Sequence, residues 1–283
     1  MKYNSSNAPL KCIMTNSTCY RQTRNMDIKG VLWHSTGANN PNLRRYVQPS
    51  TSDPNYKELL NTIGVNASQN DWNHIEVQAG LNAWIGKLAN DKIATVQTMP
   101  WEYRPWGCGS GSAGSCNDGW IQFEICEDNL ASPAYFNAVY QEACELTAYL
   151  CMMYKLNPKG YVSFKGRQVP VILCHQDSYR LGLGSNHADV LHWFSRYGKT
   201  MDNVREDVYK LMTNSSDTIT PTPSQDNTPS TPYLVYTRVL RRGREGDDVK
   251  ALQKALIDLG YNCGSYGADG DFGRDTEKAV TQF

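Results

Sequence analysis

The sequence lacks three features that would each identify a class of protein. No segment of the 283 residues approaches the roughly 18 consecutive apolar residues that span a membrane, and the amino terminus has no continuous apolar core of a secretory signal. Lysine and arginine number 28, equal to the 28 acidic residues, and form no long basic run. We therefore expect no membrane insertion, no signal peptide and no nucleic-acid partner, because nucleic-acid binding needs concentrated positive charge.

The cysteines lack two of the patterns that cysteine usually forms. There are nine, an odd number, and none belongs to a CxxC pair, which is unlike a full disulfide framework or a cysteine-only zinc site. Cys12 with Cys19, and Cys108 with Cys116, could each close a short loop. Four others lie in apolar runs, which is typical of small buried side chains; these are Cys126, Cys144, Cys151 and Cys174.

A stretch rich in Thr, Ser and Pro divides the chain. Residues 213–232 contain four prolines and one aliphatic residue, Ile219, so they cannot bury enough apolar surface to fold. We interpret them as a linker between a large domain at residues 1–212 and a small module at residues 233–283.

The large domain alternates between strand-like and helix-like patterns, which predicts an α/β fold with a sheet flanked by helices. Helical spacing occurs at residues 135–156 and 203–212. The glycine-rich residues 107–119 are predicted to be a surface loop without chemistry, because no helix opens after them. The predicted strands are residues 28–33, 83–88, 92–97, 120–126 and 169–173.

The small module is predicted to be all-α and incomplete. Val249, Leu252, Leu256 and Leu259 recur at helical spacing before Gly260. A Gly- and Asp-rich turn then leads into a second helix that starts near Asp275, and the sequence ends inside that helix. We expect the full-length protein to continue.

Three of the five histidines are candidate metal ligands. His34 and His175 each follow an apolar run, so two strand-end imidazoles could meet at one sheet edge. A third ligand from the loop that holds His187 and Asp189 would complete a three-ligand site with one open position, which suits a catalytic zinc. Taken singly, each histidine could instead be an ordinary hydrogen-bonded polar residue.

Glu124 is the candidate catalytic carboxylate. Strand alternation places it on one face with Gln122, opposite Ile121, Phe123 and Ile125. Burying an unpaired carboxylate costs several kcal/mol or forces protonation, so its position needs a reason. It could accept a proton from an attacking water and return it to a leaving nitrogen. The alternative is a structural salt bridge.

Four motifs carry a family resemblance: WHSTG at 33–37, WIQFEICE at 120–127, LCHQD at 173–177 and SNHADVLHW at 185–193. In this order they resemble the type 2 N-acetylmuramoyl-L-alanine amidases of phage endolysins, bacterial autolysins and peptidoglycan-recognition proteins, over about residues 25–200. The resemblance implies a mixed central β-sheet flanked by helices. It also implies hydrolysis of the amide between muramic acid and L-alanine in bacterial peptidoglycan.

The resemblance also implies roles for individual residues. The family's zinc ligands fall on His34, His175 and Asp189, and its catalytic acid falls on Glu124. A lysine commonly stands two positions before the last ligand, and here that position is His187, which can donate the same hydrogen bond to an oxyanion.

The register of the last ligand has an alternative. If the loop were shifted by two residues, His187 would be the ligand and Ser185 would take the lysine position. Asp189 is favoured because it keeps a donor beside the oxyanion. Val190 replaces the proline that usually follows the last ligand, so the local pattern departs from the family here.

The tail resembles the first part of a three-helix peptidoglycan-binding module. The pattern LRxGxxGxxVxxLQxxL begins at Leu240, and DGDFG follows at 269–273. Tethering such a module to an enzyme raises the enzyme's local concentration at an insoluble substrate. We expect a monomer, made in the bacterial cytoplasm and acting on the cell wall like an endolysin.

Three rival functions have some support in the sequence. Cys116 or Cys126 with His175 could form a cysteine peptidase. His74-Ile75-Glu76 suggests a zinc nucleobase deaminase, but the proline-cysteine pair of that signature is absent. A non-catalytic peptidoglycan-recognition protein would be expected to lack Glu124 or a ligand, and the sequence retains them all.

Overall fold

The computed structural model describes residues 1–214, 240–258, 261–264 and 266–283. The chain divides into two compact units, Met1–Thr220 and Pro221–Phe283. Most of the predicted linker lies outside the described residues, as do Leu259 and Gly260 of the predicted tail helix. The domain boundaries at residues 212 and 232 therefore stay predictions.

A six-stranded mixed sheet forms the centre of the first unit, as predicted. Eight strands occur among the described residues: β1 (Leu10–Lys11), β2 (Gly30–Asn39), β3 (Ala83–Lys87), β4 (Ile93–Gln97), β5 (Trp120–Glu127), β6 (Tyr161–Phe164), β7 (Arg167–Pro170) and β8 (Ile172–Cys174). The sheet has the order β1-β4-β3-β5-β2-β8, and β6 with β7 forms a separate hairpin. Within the sheet only β3 and β4 pair antiparallel.

Helices cover the sheet. Those of the first unit are α1 (Thr18–Gln22), α2 (Tyr56–Ile63), α3 (Pro133–Met153), α4 (His175–Arg180), α5 (Leu191–Phe194) and α6 (Met201–Asn214). The longest, α3, begins where the Ser132 side chain accepts from the backbone N–H of Tyr135 and Pro133 occupies the first turn. Within the described part of the chain, none of the helices combines the length and apolarity that crossing a membrane requires.

The two faces of the central strands contact different parts of the molecule. Odd-numbered residues from the first part of β2 and from β5 pack into one core with α3 and α6; they are Val31, Trp33, Ile121, Phe123 and Ile125. Both faces of β5 and of the first six residues of β2 are largely buried, which explains the apolar residues on either face. The even-numbered residues point to the opposite face, so polar residues at these positions project from the same side of the sheet.

Two predicted strands differ from the structure by more than one residue. β2 does not end at Trp33 but continues to Asn39, with irregular pairing to β5 after Ser35, so His34 lies inside the strand. The run at residues 169–173 is divided between β7, which ends at Pro170, and β8, which begins at Ile172. Apolar runs mark buried segments but do not show where one strand ends and another begins.

The described part of the second unit contains two helices, α7 (Asp247–Asp258) and α8 (Arg274–Gln282). Leu256, Cys263 and Ala279 form its buried cluster. The buried Gln253 donates to Asp269 Oδ1 and the Asp271 carbonyl, both at 2.8 Å, and so ties α7 to the turn before α8.

We expect Leu146→Ala to lower the free energy of unfolding of the first unit by about 2–5 kcal/mol, because Leu146 is fully buried between α3 and the sheet. Met152→Ala, at a 50 % exposed site at the end of α3, is the matched control and is expected to cost under about 0.5 kcal/mol. Urea unfolding followed by tryptophan fluorescence measures this unit, since all seven tryptophans lie between residues 33 and 193. Equal losses in both variants would contradict the placement of α3.

Candidate metal centre and active site

Strand register brings His34 and Glu124 together. His34 of β2 pairs with Glu124 of β5, and Leu32 pairs with Gln122, in a parallel ladder. Paired residues of neighbouring strands project to the same face. On the other side of β2, Trp33 pairs with Cys174, the last residue of β8. His175 therefore begins α4 directly beside His34.

Three ligand-type side chains converge at this point. The His34 and His175 Nδ1 atoms are 3.1 Å apart. Asp189, from the loop between α4 and α5, places Oδ2 3.0 Å from His34 Nδ1 and Oδ1 3.4 Å from His175 Nδ1. This is the one group of His, Cys, Asp and Glu residues within the described ranges whose geometry could hold a metal ion.

A chain of hydrogen bonds sets the tautomer of neutral His34. Asn117 Oδ1 accepts from the backbone N–H groups of Gly107 and Cys108, at 3.2 and 3.1 Å, which identifies that atom as the oxygen. The Gln122 amide nitrogen donates to it at 2.9 Å. Gln122 Oε1 must then accept from His34 Nε2, which is 2.9 Å away. The lone pair of neutral His34 is left on Nδ1.

Ser185 sets the tautomer of neutral His175. Its hydroxyl donates to the Cys108 carbonyl at 3.2 Å and lies 3.1 Å from His175 Nε2. Because the Ser185 hydroxyl donates its hydrogen to the Cys108 carbonyl, the Ser185 oxygen accepts from His175 Nε2. The lone pair of neutral His175 therefore also lies on Nδ1. Both lone pairs thus point toward Asp189.

This donor set fits a zinc ion. Two imidazole nitrogens and a carboxylate oxygen are zinc ligands, and bonds of about 2.0–2.1 Å in a tetrahedron would separate the ligand atoms by about 3.3 Å. The two Nδ1 atoms are 3.1 Å apart, and each lies near a different oxygen of the Asp189 carboxylate, at 3.0 and 3.4 Å, so the three side chains converge closely enough to share one ion. Without a cation, two lone pairs and a negative carboxylate would repel one another at these distances.

Protonation equilibria in the cluster are strongly perturbed. Burial alone would raise the pKa of the Asp189 carboxyl, but the contacts with His175 and His34, whose Nδ1 atoms can donate to it once they are protonated, outweigh burial and hold the pKa well below its usual range. Burial lowers the pKa of His175. At His34, burial also acts to lower the pKa, but Asp189, which accepts from a protonated Nδ1, raises it overall. Asp189 therefore stays anionic, as a metal ligand must.

Glu124 lies in the same cleft, which has a volume of about 400 Å³. Burial, reinforced by the charges of Asp189 and Glu127 and opposed by His34, raises the pKa of Glu124 to about 8. No described residue forms a hydrogen bond or ion pair with its carboxylate, so the structural salt bridge considered as an alternative is not formed. A carboxyl poised to exchange a proton near neutral pH is suited to general acid-base chemistry.

His187 lies outside the three-ligand cluster. Its exposed side chain lines the cleft, with its ring centroid 4.5 Å from that of His175 and its Nδ1 3.1 Å from Ser185 Oγ. In this arrangement Asp189 approaches the two histidines, and His187 is free to contact a bound molecule.

The prediction that residues 107–119 form a surface loop without a role in the site was wrong. Cys108, Cys116 and Asn117 are buried, and Gly107 lines the cleft. A Cβ atom on Gly107 would lie 2.3 Å from Gln122 Oε1 and 3.1 Å from His34 Nε2, so glycine is needed there. The loop's glycines and asparagine are typical of exposed turns, and the sequence has no signal for this inward packing.

Gln122 and Asn117 were not predicted as site residues, and Ser185 was considered only as the alternative for the position of the family's lysine. For Gln122 a signal existed, because alternation in β5 places its side chain on the face of Glu124 and it is polar within an apolar strand. Asn117 and Ser185 act through tertiary contacts that strand alternation does not reveal.

The geometry excludes two of the rival chemistries. All nine cysteines are free and buried, so neither suggested disulfide forms. Burial raises the pKa of Cys126 well above its ordinary value and raises that of Cys116 as well, which is the opposite of an activated thiolate. His74 is held 2.9 Å from the buried Asp71 and does not line the cleft. Neither a cysteine peptidase nor a deaminase site is present among the described residues.

Comparison with known families agrees with this site. Residues 24–189, more than half of the chain, match the family model described as N-acetylmuramoyl-L-alanine amidase, and the match ends at Asp189. The chain belongs to this amidase family. Residues 245–283 match a second model, described as a peptidoglycan binding domain.

Relatives of this amidase-family chain match it over limited lengths. It is 30 % identical over 160 residues to the N-acetylmuramoyl-L-alanine amidase CwlL of Bacillus licheniformis, across 56 % of this chain and 38 % of that protein. It is 56 % identical over 43 residues to the type VI secretion system spike protein VgrG3 of Vibrio cholerae serotype O1, across 15 % of this chain and 4 % of that protein. The chain thus spans well under half the length of either relative.

Two solved structures align with much of this chain at low sequence identity. The Staphylococcus aureus hydrolase AmiA, solved with its ligand, aligns with 78 % of this chain and 97 % of its own at 19 % identity and a TM-score of 0.47. PlyL aligns with 71 % of this chain and 96 % of its own at 18 % identity and a TM-score of 0.43.

We expect Asp189→Ala to release bound metal and His187→Ala to retain it, because Asp189 shares the cluster with both histidine Nδ1 atoms and His187 does not. Metal content per chain, measured by elemental mass spectrometry after dialysis, checks this. The His187→Ala protein should contain about one metal ion per chain, as the wild-type protein does. The reverse result would assign the third ligand to His187.

We expect Gln122→Leu to weaken metal affinity by about 10- to 100-fold, because His34 Nε2 loses the acceptor that sets its tautomer. Gln168→Leu, on the exposed side of β7, is the control and should leave the affinity unchanged. Competition with a fluorescent chelator measures both dissociation constants. Unchanged affinity in Gln122→Leu would show that the hydrogen-bond chain does not orient His34.

Proposed function

We propose that this chain is a zinc-dependent amidase that hydrolyses the bond between N-acetylmuramic acid and L-alanine in bacterial peptidoglycan. The observation that carries the proposal is the convergence of two imidazole nitrogens and the Asp189 carboxylate in a cleft that also holds Glu124. Membership of the amidase family supports the substrate, and the donor set supports the metal.

His34, His175 and Asp189 would hold the zinc ion. Three protein ligands leave a fourth position, which is the arrangement of hydrolytic rather than structural zinc sites. A zinc ion bound there would supply Lewis acidity for the scissile carbonyl and lower the pKa of water toward neutrality. The Asn117–Gln122–His34 hydrogen bonds and Ser185 hold both imidazoles with their lone pairs toward the ion.

Glu124 acts as the general base and then as the general acid. Its carboxylate takes a proton from the water as the water oxygen attacks the carbonyl carbon of the lactyl group. The protonated Glu124 then gives that proton to the nitrogen of L-alanine as the C–N bond breaks, so the proton balance closes. The burial that raises its pKa favours uptake of the proton from water, and the protonated carboxyl is then in place to give that proton to the leaving nitrogen. A zinc ion held by the three candidate ligands would lower the pKa of Glu124 and so favour the carboxylate at the start.

His187 stabilises the charge that develops on the carbonyl oxygen. Its imidazole is exposed at the cleft beside His175, where a donor can reach the tetrahedral carbon's oxygen. Its contact with Ser185 Oγ limits the freedom of the ring and uses the hydrogen on Nδ1, so the donor to the carbonyl oxygen would be the Nε2–H of the imidazolium form. This role corresponds to the donor expected two residues before the last ligand.

The second unit would bring the enzyme to its substrate. Residues 245–283 match a peptidoglycan-binding domain, and binding by one unit raises the effective concentration of the other at the same polymer. We infer that the protein acts on the cell wall and lyses it in the manner of an endolysin. A monomer suffices for this mechanism, because the three candidate ligands and Glu124 come from one chain.

We expect Glu124→Gln to abolish peptidoglycan hydrolysis while zinc content stays at the wild-type value, since the amide cannot accept a proton and Glu124 is not a ligand. Clearing of purified cell walls and metal analysis of the same preparation measure the two quantities. Glu76→Gln, at an exposed site outside the cleft, is the control and should retain full activity. A Glu124→Gln protein that clears walls at the wild-type rate would refute the assignment.

The products identify the bond. Mass spectrometry of peptidoglycan digested by the wild-type protein is expected to show new L-alanine amino ends beside intact glycan chains. New reducing sugars or cuts within the stem peptide would reject the amidase and point to a different hydrolase.

A further inference from the structure

The lining of the cleft includes an aromatic ring that the proposed mechanism does not use. The charged and imidazole groups of the cleft belong to the metal cluster, Glu124, His187 and His192. Trp72, Ala79 and Leu81 also line the cleft and are apolar. Of these three, Trp72 has the largest side chain.

Trp72 is only partly buried although its two neighbours are sealed inside the protein. Asp71 is 0 % exposed and Asn73 is 3 % exposed. The Asp71 carboxylate accepts from the Asn73 backbone N–H at 3.0 Å and from His74 Nδ1 at 2.9 Å. Asn73 donates to Ser50 Oγ at 3.0 Å and accepts from the Asn16 backbone N–H at 3.0 Å. Burying polar groups is costly unless every partner is supplied, as it is here.

The Trp72 ring is also supported from behind. It packs edge-on against the buried Trp84 with centroids 4.9 Å apart, and Trp84 in turn stacks on Tyr46 at 4.8 Å. The Trp72 backbone N–H donates to the Tyr46 carbonyl at 3.1 Å. A loop residue held this firmly, with part of its ring in a cleft, has the character of a preorganised binding surface.

The chemistry of the proposed substrate indicates which part of the substrate fits the apolar residues of the cleft. On one side of the scissile amide lies a neutral pyranose, whose axial C–H groups form an apolar face. On the other side lies the stem peptide, which carries carboxylates. Carboxylates would be desolvated without compensation against Trp72, Ala79 and Leu81, whereas the C–H face of a sugar packs favourably on an indole.

We propose that Trp72, beside Ala79 and Leu81 in the lining of the cleft, forms the subsite for the amino-sugar ring of the substrate. This inference rests on the proposed function for the identity of the ligand. Trp72 acts in binding, while Glu124 and the metal cluster act in the chemical step.

The test is equilibrium binding in the full-length, zinc-loaded Glu124→Gln protein, which separates binding from hydrolysis. The two ligands are N-acetylmuramoyl-L-Ala-D-Glu and D-lactoyl-L-Ala-D-Glu, which differ only in the sugar. We expect Trp72→Leu to raise the calorimetric Kd of the sugar ligand by about tenfold and to change that of the lactoyl ligand by less than about twofold. Trp72→Tyr keeps an aromatic face and should retain most of the affinity.

Trp106→Leu is the matched control, because Trp106 is also partly buried but does not line the cleft. It should leave both Kd values unchanged. Equal weakening of both ligands by Trp72→Leu, or no change in either, would overturn the subsite. A wild-type protein that binds the sugar ligand in a Trp72-dependent way but releases no L-alanine amino ends would keep the subsite and reject the amidase.

Discussion

The convergence of two imidazole lone pairs on one carboxylate is the constraint on which the first unit depends. Such an arrangement is repulsive without a cation, so the protein must hold each group in place by other means. It does so at two levels. The parallel ladders of β8, β2 and β5 bring His175, His34 and Glu124 side by side. Hydrogen bonds from buried amides and a hydroxyl then determine how each ring is turned.

The segment before β5 orients both histidines of the site, although its glycine-rich composition is typical of an exposed loop. Through Asn117 and the backbone of Gly107 and Cys108 it orients Gln122, and through the Cys108 carbonyl it orients Ser185. One short loop thus controls the protonation pattern of both histidines. Because these groups are buried, each unmade hydrogen bond would cost about 1–3 kcal/mol, which gives the site a single preferred arrangement.

Sequence patterns could predict the part of the site that is built on strands. His34 and Glu124 follow from strand periodicity, because burial on both faces makes a polar residue conspicuous. His175 follows from the apolar run before it. Asp189 against His187 could not be decided by pattern, since a loop has no period and its register is set by contacts with α4 and α5. The same reason explains why residues 107–119 were misinterpreted and why Trp72 was not noticed: both depend on tertiary packing.

The nine free thiols have a consequence for the stability of this protein in an oxidising medium. Every one is buried, so oxidants do not reach them while the fold is intact. No disulfide restricts the unfolded chain, so the native state is held by packing and hydrogen bonding without a covalent cross-link. If the chain unfolds in an oxidising medium, the exposed thiols can form random disulfides, and unfolding then becomes irreversible. The lifetime of the protein there is then governed by its rate of unfolding rather than by its equilibrium stability.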